Sequence, residues 1–205
     1  MVDLFKMVTA CGRSLVTAAV LILMCSCASL NVPADPPEFK PEEMLRTSAP
    51  GVELSVMPVQ GRDSYWSLFD DNLPEAGIGA LWVSVKNLGD AEIDFSRVKW
   101  VMLRRDGTNQ PALDGNQVFR LYYHARHIRM YAAENDRRAR LALERIRFQP
   151  GRIAPSMNRE GFLFFRIVPS SSFDWSGHGT LIADNIRFRD GRMSSLQVHL
   201  AYANP

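Results

Sequence analysis

Gly161-Phe162-Leu163-Phe164-Phe165-Arg166-Ile167-Val168 is the stretch on which the fold turns. It is apolar nearly throughout, which predicts a central strand buried on both faces. Around it the dominant period is two. Val52, Leu54 and Val56 alternate with polar or small neighbours and form a first strand. Residues 80–86 (ALWVSVK) form a second, ended by the turn cluster Asn87-Leu88-Gly89-Asp90. Residues 98–103 (VKWVML) form a third, closed by Asp106-Gly107. Residues 180–183, 186–188 and 196–200 complete the set. Short strands at this spacing, with turn residues between them, predict a mainly β chain folded as an antiparallel β-sandwich.

One segment breaks the period. Residues 117–147 contain no glycine or proline and are rich in Ala, Arg and Leu. Leu121, Ala125, Ile128 and Ala132 fall at helical spacing, as do Ala139, Ala142 and Ile146. This predicts a helical insertion at about 117–147, either one long helix or two with Asp136 capping the second. Its Ala/Ile face is expected to lie on a sheet.

The run from Ile153-Ala154-Pro155 through Asn158-Arg159-Glu160 to Gly161-Phe162-Leu163-Phe164-Phe165 places a proline turn ahead of a Gly-aromatic core strand. It resembles the extracytoplasmic immunoglobulin-like domains of many bacterial lipoproteins. That resemblance implies an immunoglobulin-like sandwich over residues 51–205, in a class made up mostly of binding or structural modules.

The N-terminus carries an address. Lys6 and Arg13 stand against Asp3 in residues 1–13, and residues 14–24 (SLVTAAVLILM) form an uncharged, largely apolar run. At about 1.5 Å per residue this run is too short for a bilayer core, which needs about 20 residues. It fits the apolar region of a signal peptide. The run ends in Leu23-Met24-Cys25-Ser26-Cys27 and so resembles a bacterial lipoprotein signal with its lipobox, residues 1–26 being the signal peptide. The small Ser26 before Cys27 makes Cys27 the lipidated cysteine, whereas the bulky Met24 precedes Cys25. Ala28 is not the aspartate that retains such proteins at the inner membrane, so the resemblance implies an outer-membrane protein facing the periplasm. Cleavage before Cys27 leaves one cysteine, at the mature N-terminus. A thioether there removes a free thiol from an oxidising compartment. Residues 27–50 then read as the lipidated cysteine and a tether holding Pro33, Pro36, Pro37, Pro41 and Pro50. At roughly 3.1 Å per residue the tether would reach about 60–70 Å, unless its later half straps the domain.

Composition bounds the rest. The 205 residues are 46% hydrophobic and 22% charged, which is globular composition. A net charge of +2 gives no footprint for nucleic acid. All three cysteines precede residue 28, which excludes a disulfide framework or cysteine zinc site in the body.

Sites of chemistry are sparse. His124 and His127 stand three apart, but a bare H-x-x-H with no acid within a turn nominates no metal. Asp174, Ser176 and His178 supply the residue types of a hydrolase triad, at a sequence spacing too close for triad geometry. Gly77-Ile78-Gly79 lacks the lysine or third glycine of a phosphate loop. No catalytic residue, metal or cofactor is expected. The charge layout says more. Between 119 and 148 eight arginines face three acids, a balance of +5, whereas residues 31–75 carry −6. Arginine's planar fork suits carboxylate and phosphate groups, so Arg137, Arg138 and Arg140 are the candidate partner-binding residues, toward an acidic envelope protein or lipid phosphate. Aromatic clusters at Tyr65-Trp66-Phe69, Tyr122-Tyr123-Tyr131 and Phe173-Trp175 are either core or a binding platform. The expected function is therefore a lipid-anchored, non-enzymatic binding or structural module of the envelope, an accessory subunit of an envelope assembly being one form of it. The alternatives are an envelope hydrolase or carbohydrate-active protein, and a periplasmic carrier of hydrophobic cargo.

Overall fold

The computed structural model describes residues 39–40, 43–127, 133–175 and 179–200. The chain is mainly β, with ten strands in two antiparallel sheets and three α-helices among the described residues. The first sheet has the order β1-β2-β3-β8, from β1 (Leu45–Ala49), β2 (Val52–Pro58), β3 (Ile78–Asn87) and β8 (Asn158–Arg166). The second holds β4 (Ile93–Asp94), β5 (Lys99–Leu103), β6 (Asn109–Pro111), β7 (Arg152–Ile153), β9 (Thr180–Phe188) and β10 (Met193–His199).

The first sheet is the middle of three layers. On one face Val52, Leu54, Val56, Leu81, Val83, Val85, Leu163 and Phe165 meet Met102, Leu181, Ala183, Leu196 and Val198 of the second sheet. On the other, Ile78, Ala80, Trp82, Phe162 and Phe164 meet the helices. Adjacent residues of one strand therefore belong to different cores, because side chains alternate across a strand. This is how a strand can be apolar in both alternations without wasting either face.

The helices are α1 (Gly61–Phe69), α2 (Gly115–Ala125) and α3 (Ala133–Ile146). Asp114 starts α2 with a capping box. Its carboxylate accepts from the Gln117 backbone N–H at 2.8 Å, and the Gln117 side chain accepts from the Asp114 N–H at 2.8 Å. The insertion is thus two helices, and it begins just before the expected residue 117. Asp136 lies inside α3 rather than at its cap. The buried face of α2 is Val118, Phe119, Tyr122 and Tyr123, rotated from the expected Leu121/Ala125 stripe. On α3, Ala139 and Ile146 are buried and Ala142 is partly so, as the spacing implies.

Three further differences have plain causes. The strand 158–166 lies at the edge of its sheet rather than at the centre. Its outer edge is covered by the two ends of the insertion: Leu113 N–H donates to Phe164 C=O (2.7 Å) and Phe148 N–H to Phe162 C=O (2.9 Å). Covering an apolar edge in this way protects it from pairing with other chains. Residues 45–49, placed in the tether by their proline-rich surroundings, form β1 and pair with β2 across the Pro50-Gly51 turn, where Gly51 has φ +88°. Residues 180–183 and 186–188 are one strand, not two, because Asn185 takes a left-handed φ of 68° without ending the ladder. Helix α1 and the short strands β4, β6 and β7 carry no period strong enough to read.

Aromatic residues fill the helix-side core. Tyr65, Phe69, Tyr122, Phe162 and Phe164 are buried, as are Phe173 and Trp175 on the sandwich side, so these clusters are core; Trp66 alone of them is exposed, and Tyr131 lies outside the described residues. Ala80 is held from both sides. Its N–H donates to Tyr65 Oη (2.9 Å), and its carbonyl accepts from Trp175 Nε1 (3.1 Å).

The insertion's return demands a glycine. A Cβ on Gly161 would stand 2.4 Å from the Phe148 backbone nitrogen. Gly161→Ala is expected to cost about 2–3 kcal/mol in urea unfolding, since backbone must move. A loss below about 0.5 kcal/mol would contradict this packing.

Candidate functional site

The helical layer carries the arginines expected to meet a partner, and they divide by geometry. Arg137 and Arg138 are exposed on α3. Arg140 is half-buried: its guanidinium lies 4.7 Å from the Phe119 ring centroid and donates to Asn116 Oδ1 at 3.2 Å. It joins α3 to α2, a task in which the planar guanidinium's stacking matters as much as its charge. Arg147 pairs with Glu144 at 2.8 Å. Arg120 and Arg145 are exposed, and Leu141 stands between Arg137 and Arg145 at four-residue spacing with 51% of its surface exposed.

Arg126, at the end of α2, belongs to a polar cluster that sequence reading missed. It bridges Asp71 and Glu75, the latter at 3.0 Å. Tyr122 Oη donates to Asp71 Oδ2 at 2.5 Å, and Asn72 Nδ2 donates to Glu75 Oε1 and to Ser171 C=O, each at 3.0 Å. Burial, and then the hydrogen bond to the Asp71 carboxylate, push the Tyr122 phenol above its ordinary range. The Asn72 amide and then Arg126 hold Glu75 below its ordinary value. Asp71 and Glu75 lie about fifty residues from Tyr122 and Arg126, so no local spacing announces the cluster. It clasps α2 to the loop after α1.

The remaining candidates are scattered. His124 and His127 are exposed, and His127 has a left-handed φ of 51° just past α2. Among the described residues no three His, Cys, Asp or Glu are grouped to hold a metal. Asp174 is exposed; Ser176 and His178 lie outside the described residues, as does Cys27. Gly77 caps a 3-10 turn at φ 75°, and a Cβ on Gly79 would strike the Trp175 ring at 2.6 Å, so turn and packing account for both glycines.

A groove of about 710 Å³ opens at one end of the sandwich, along Asn87, Leu88, Asp90, Phe188, Arg189 and Arg192. Asn87 is buried and builds its rim, donating to Ala91 C=O (2.8 Å) and Ile153 C=O (2.9 Å) and accepting from Gly89 N–H (2.9 Å). Arg192 lies over the Phe188 ring and pairs with Asp190. Acids and bases alternate around the groove, so it favours neither sign of charge.

No family model matches the chain, and no curated protein matches it. Solved structures give distant likenesses. The yjhA protein from Bacillus subtilis is 12% identical, with 68% of this chain and 78% of that one covered at a TM-score of 0.39. A candidate lipoprotein of the same organism, ycdA, is 12% identical over 76% of this chain and 38% of its own, at 0.36. A secreted protein from Mycobacterium tuberculosis, MPT63, is 13% identical over 75% and 92%, at 0.32. Likeness at this distance transfers no function.

The clasp has a pH signature. Glu75 ionises more readily folded than unfolded, so its contribution is complete above its ordinary value of 4.5 and is lost as pH falls through the lowered folded value. Arg126→Gln is expected to lower stability at pH 7 by about 2 kcal/mol, through the carboxylates left unpaired. It should also flatten the loss of stability below pH 4.5 without abolishing it, since Asn72 remains. Parallel acid limbs in urea melts of the two proteins would contradict the assignment.

Proposed function

We propose that the chain is a lipid-anchored envelope protein: Cys27 carries the lipid, and the sandwich with its helical layer serves as a non-enzymatic binding or structural module. The observation that carries this reading is the segment from Ser14 to Cys27, an apolar run too short to span a bilayer that ends in a small residue before a cysteine. Two acyl chains or more give stable anchoring at about 0.8 kcal/mol per buried methylene. Ala28 after the cysteine favours the outer membrane, periplasmic side. The helical layer is the surface offered to a partner. Its outward arginines, Arg137 and Arg138 with Arg120 and Arg145, suit acidic groups, whereas Arg140 serves chiefly to hold α3 on α2. The non-enzymatic reading is supported by the exposure of residue types that a hydrolase would gather in a cleft: His124 and His127, together at the end of α2, and Asp174 all face solvent.

Membrane fractionation of wild type and Cys27→Ala, with intact-mass analysis of the mature N-terminus, tests the address. Wild type is expected in the outer-membrane fraction, starting at residue 27 with an acyl mass, and the variant is not. A soluble wild type starting at another residue would overturn the tether and return the enzyme and carrier alternatives.

A further inference from the structure

The structure places Phe39 on the helix-side core, its ring 5.7 Å from that of Trp82. The chain therefore joins the domain on the same face that carries α1, α2 and α3. From Cys27 to Phe39 is about a dozen residues, at most roughly 40 Å of extended chain. A lipid at Cys27 thus keeps the domain close to the bilayer, attached on the helical side. That face has two further properties. Arg120, Arg137 and Arg145 are exposed there, and among the described residues none of the three is paired with a carboxylate. Two large apolar side chains are exposed on the same layer, Leu141 at 51% and Trp66 at 42%. Cations set beside an exposed Leu, on a layer that also exposes a Trp, are the pattern of a surface that settles at a lipid interface, where the cations meet phosphates and the indole sits at headgroup level.

We propose that the solvent side of the helical layer, through Arg120, Arg137, Arg145, Leu141 and Trp66, docks on the anionic lipid headgroups of the membrane to which the chain is anchored. This names the partner of the module described above and rests on that reading for the membrane's proximity. Docking fixes orientation: the helical layer faces the bilayer, and the second sheet faces away. Asp63 on α1, Asp70 just past it and Asp114 at the start of α2 are exposed opposing charges on this layer, so the attraction rests on the outward arginines of α2 and α3, and α1 contributes Trp66.

The test uses the chain from Ala28 onward without its lipid, which keeps every described element, in sedimentation with vesicles of phosphatidylglycerol and phosphatidylcholine or of phosphatidylcholine alone. Binding is expected only to the anionic vesicles, with a shift of the Trp66 emission to shorter wavelength that Trp66→Phe removes. Replacing Arg120, Arg137 and Arg145 together by Gln is expected to weaken binding about a hundredfold, at roughly fivefold for each arginine near an anionic surface. These side chains are exposed, so urea melts of the variant should match wild type and separate loss of docking from loss of fold. No binding to anionic vesicles, or equal binding by the folded triple variant, would overturn the proposal. Because the lipid is absent, this outcome is independent of Cys27: failed docking with an acylated wild type removes the surface alone, and docking by a chain that is never acylated removes the anchor alone.

Discussion

Everything in this molecule depends on a sheet that must be covered twice. The pair β3 and β8 carries large apolar side chains in both alternations, Leu81, Val83, Leu163 and Phe165 to one side, Trp82, Phe162 and Phe164 to the other. A two-layer sandwich would leave the second set in water, at about 1.5–3 kcal/mol for each large side chain. The helical insertion answers that demand. It is the third layer of the core, and its two ends also close the edge of β8 through Leu113 and Phe148. Gly161 permits the close return of the chain there, and the capping box at Asp114 sets where the first helix starts.

The same constraint explains what could be read from the residues alone. Strong period-two runs, at 52–56, 80–86 and 98–103, each correspond to a strand, because burial of one face leaves a local trace. The apolar run 161–168 correctly implied burial on both faces but not its place at the sheet edge. Edge and centre differ only in what the backbone meets, and here that is a segment fourteen or more residues away. β1 was hidden by neighbouring prolines, and α1 by its short, weakly amphipathic sequence.

The candidate surface was legible in part. Arginine enrichment pointed to the two helices of the insertion, yet counting charges could not say which are already engaged. Arg126 is committed to Asp71 and Glu75, Arg147 to Glu144, and Arg140 to the Phe119 ring and Asn116. Those pairings are tertiary or depend on helix phase. What remains facing outward is a smaller set, Arg120, Arg137, Arg138 and Arg145, with Leu141 among them and Trp66 on the same layer, and no sequence pattern distinguishes the exposure of these two apolar side chains from core. Phe39 is equally silent in sequence: a lone aromatic among prolines, it is the residue that fixes the side from which the chain reaches the fold.

The proposed anchor and the proposed docking surface converge on one orientation: a sandwich held at a lipid surface through its helical layer, with its second sheet turned outward. The most direct test is the distance of two sites from the bilayer in the acylated protein. Fluorophores attached through Leu141→Cys or Asp190→Cys, in vesicles containing a headgroup-linked quencher, report it. Strong quenching at position 141 and little at 190 is the expected result. Quenching at 190 equal to or greater than at 141 would contradict the account.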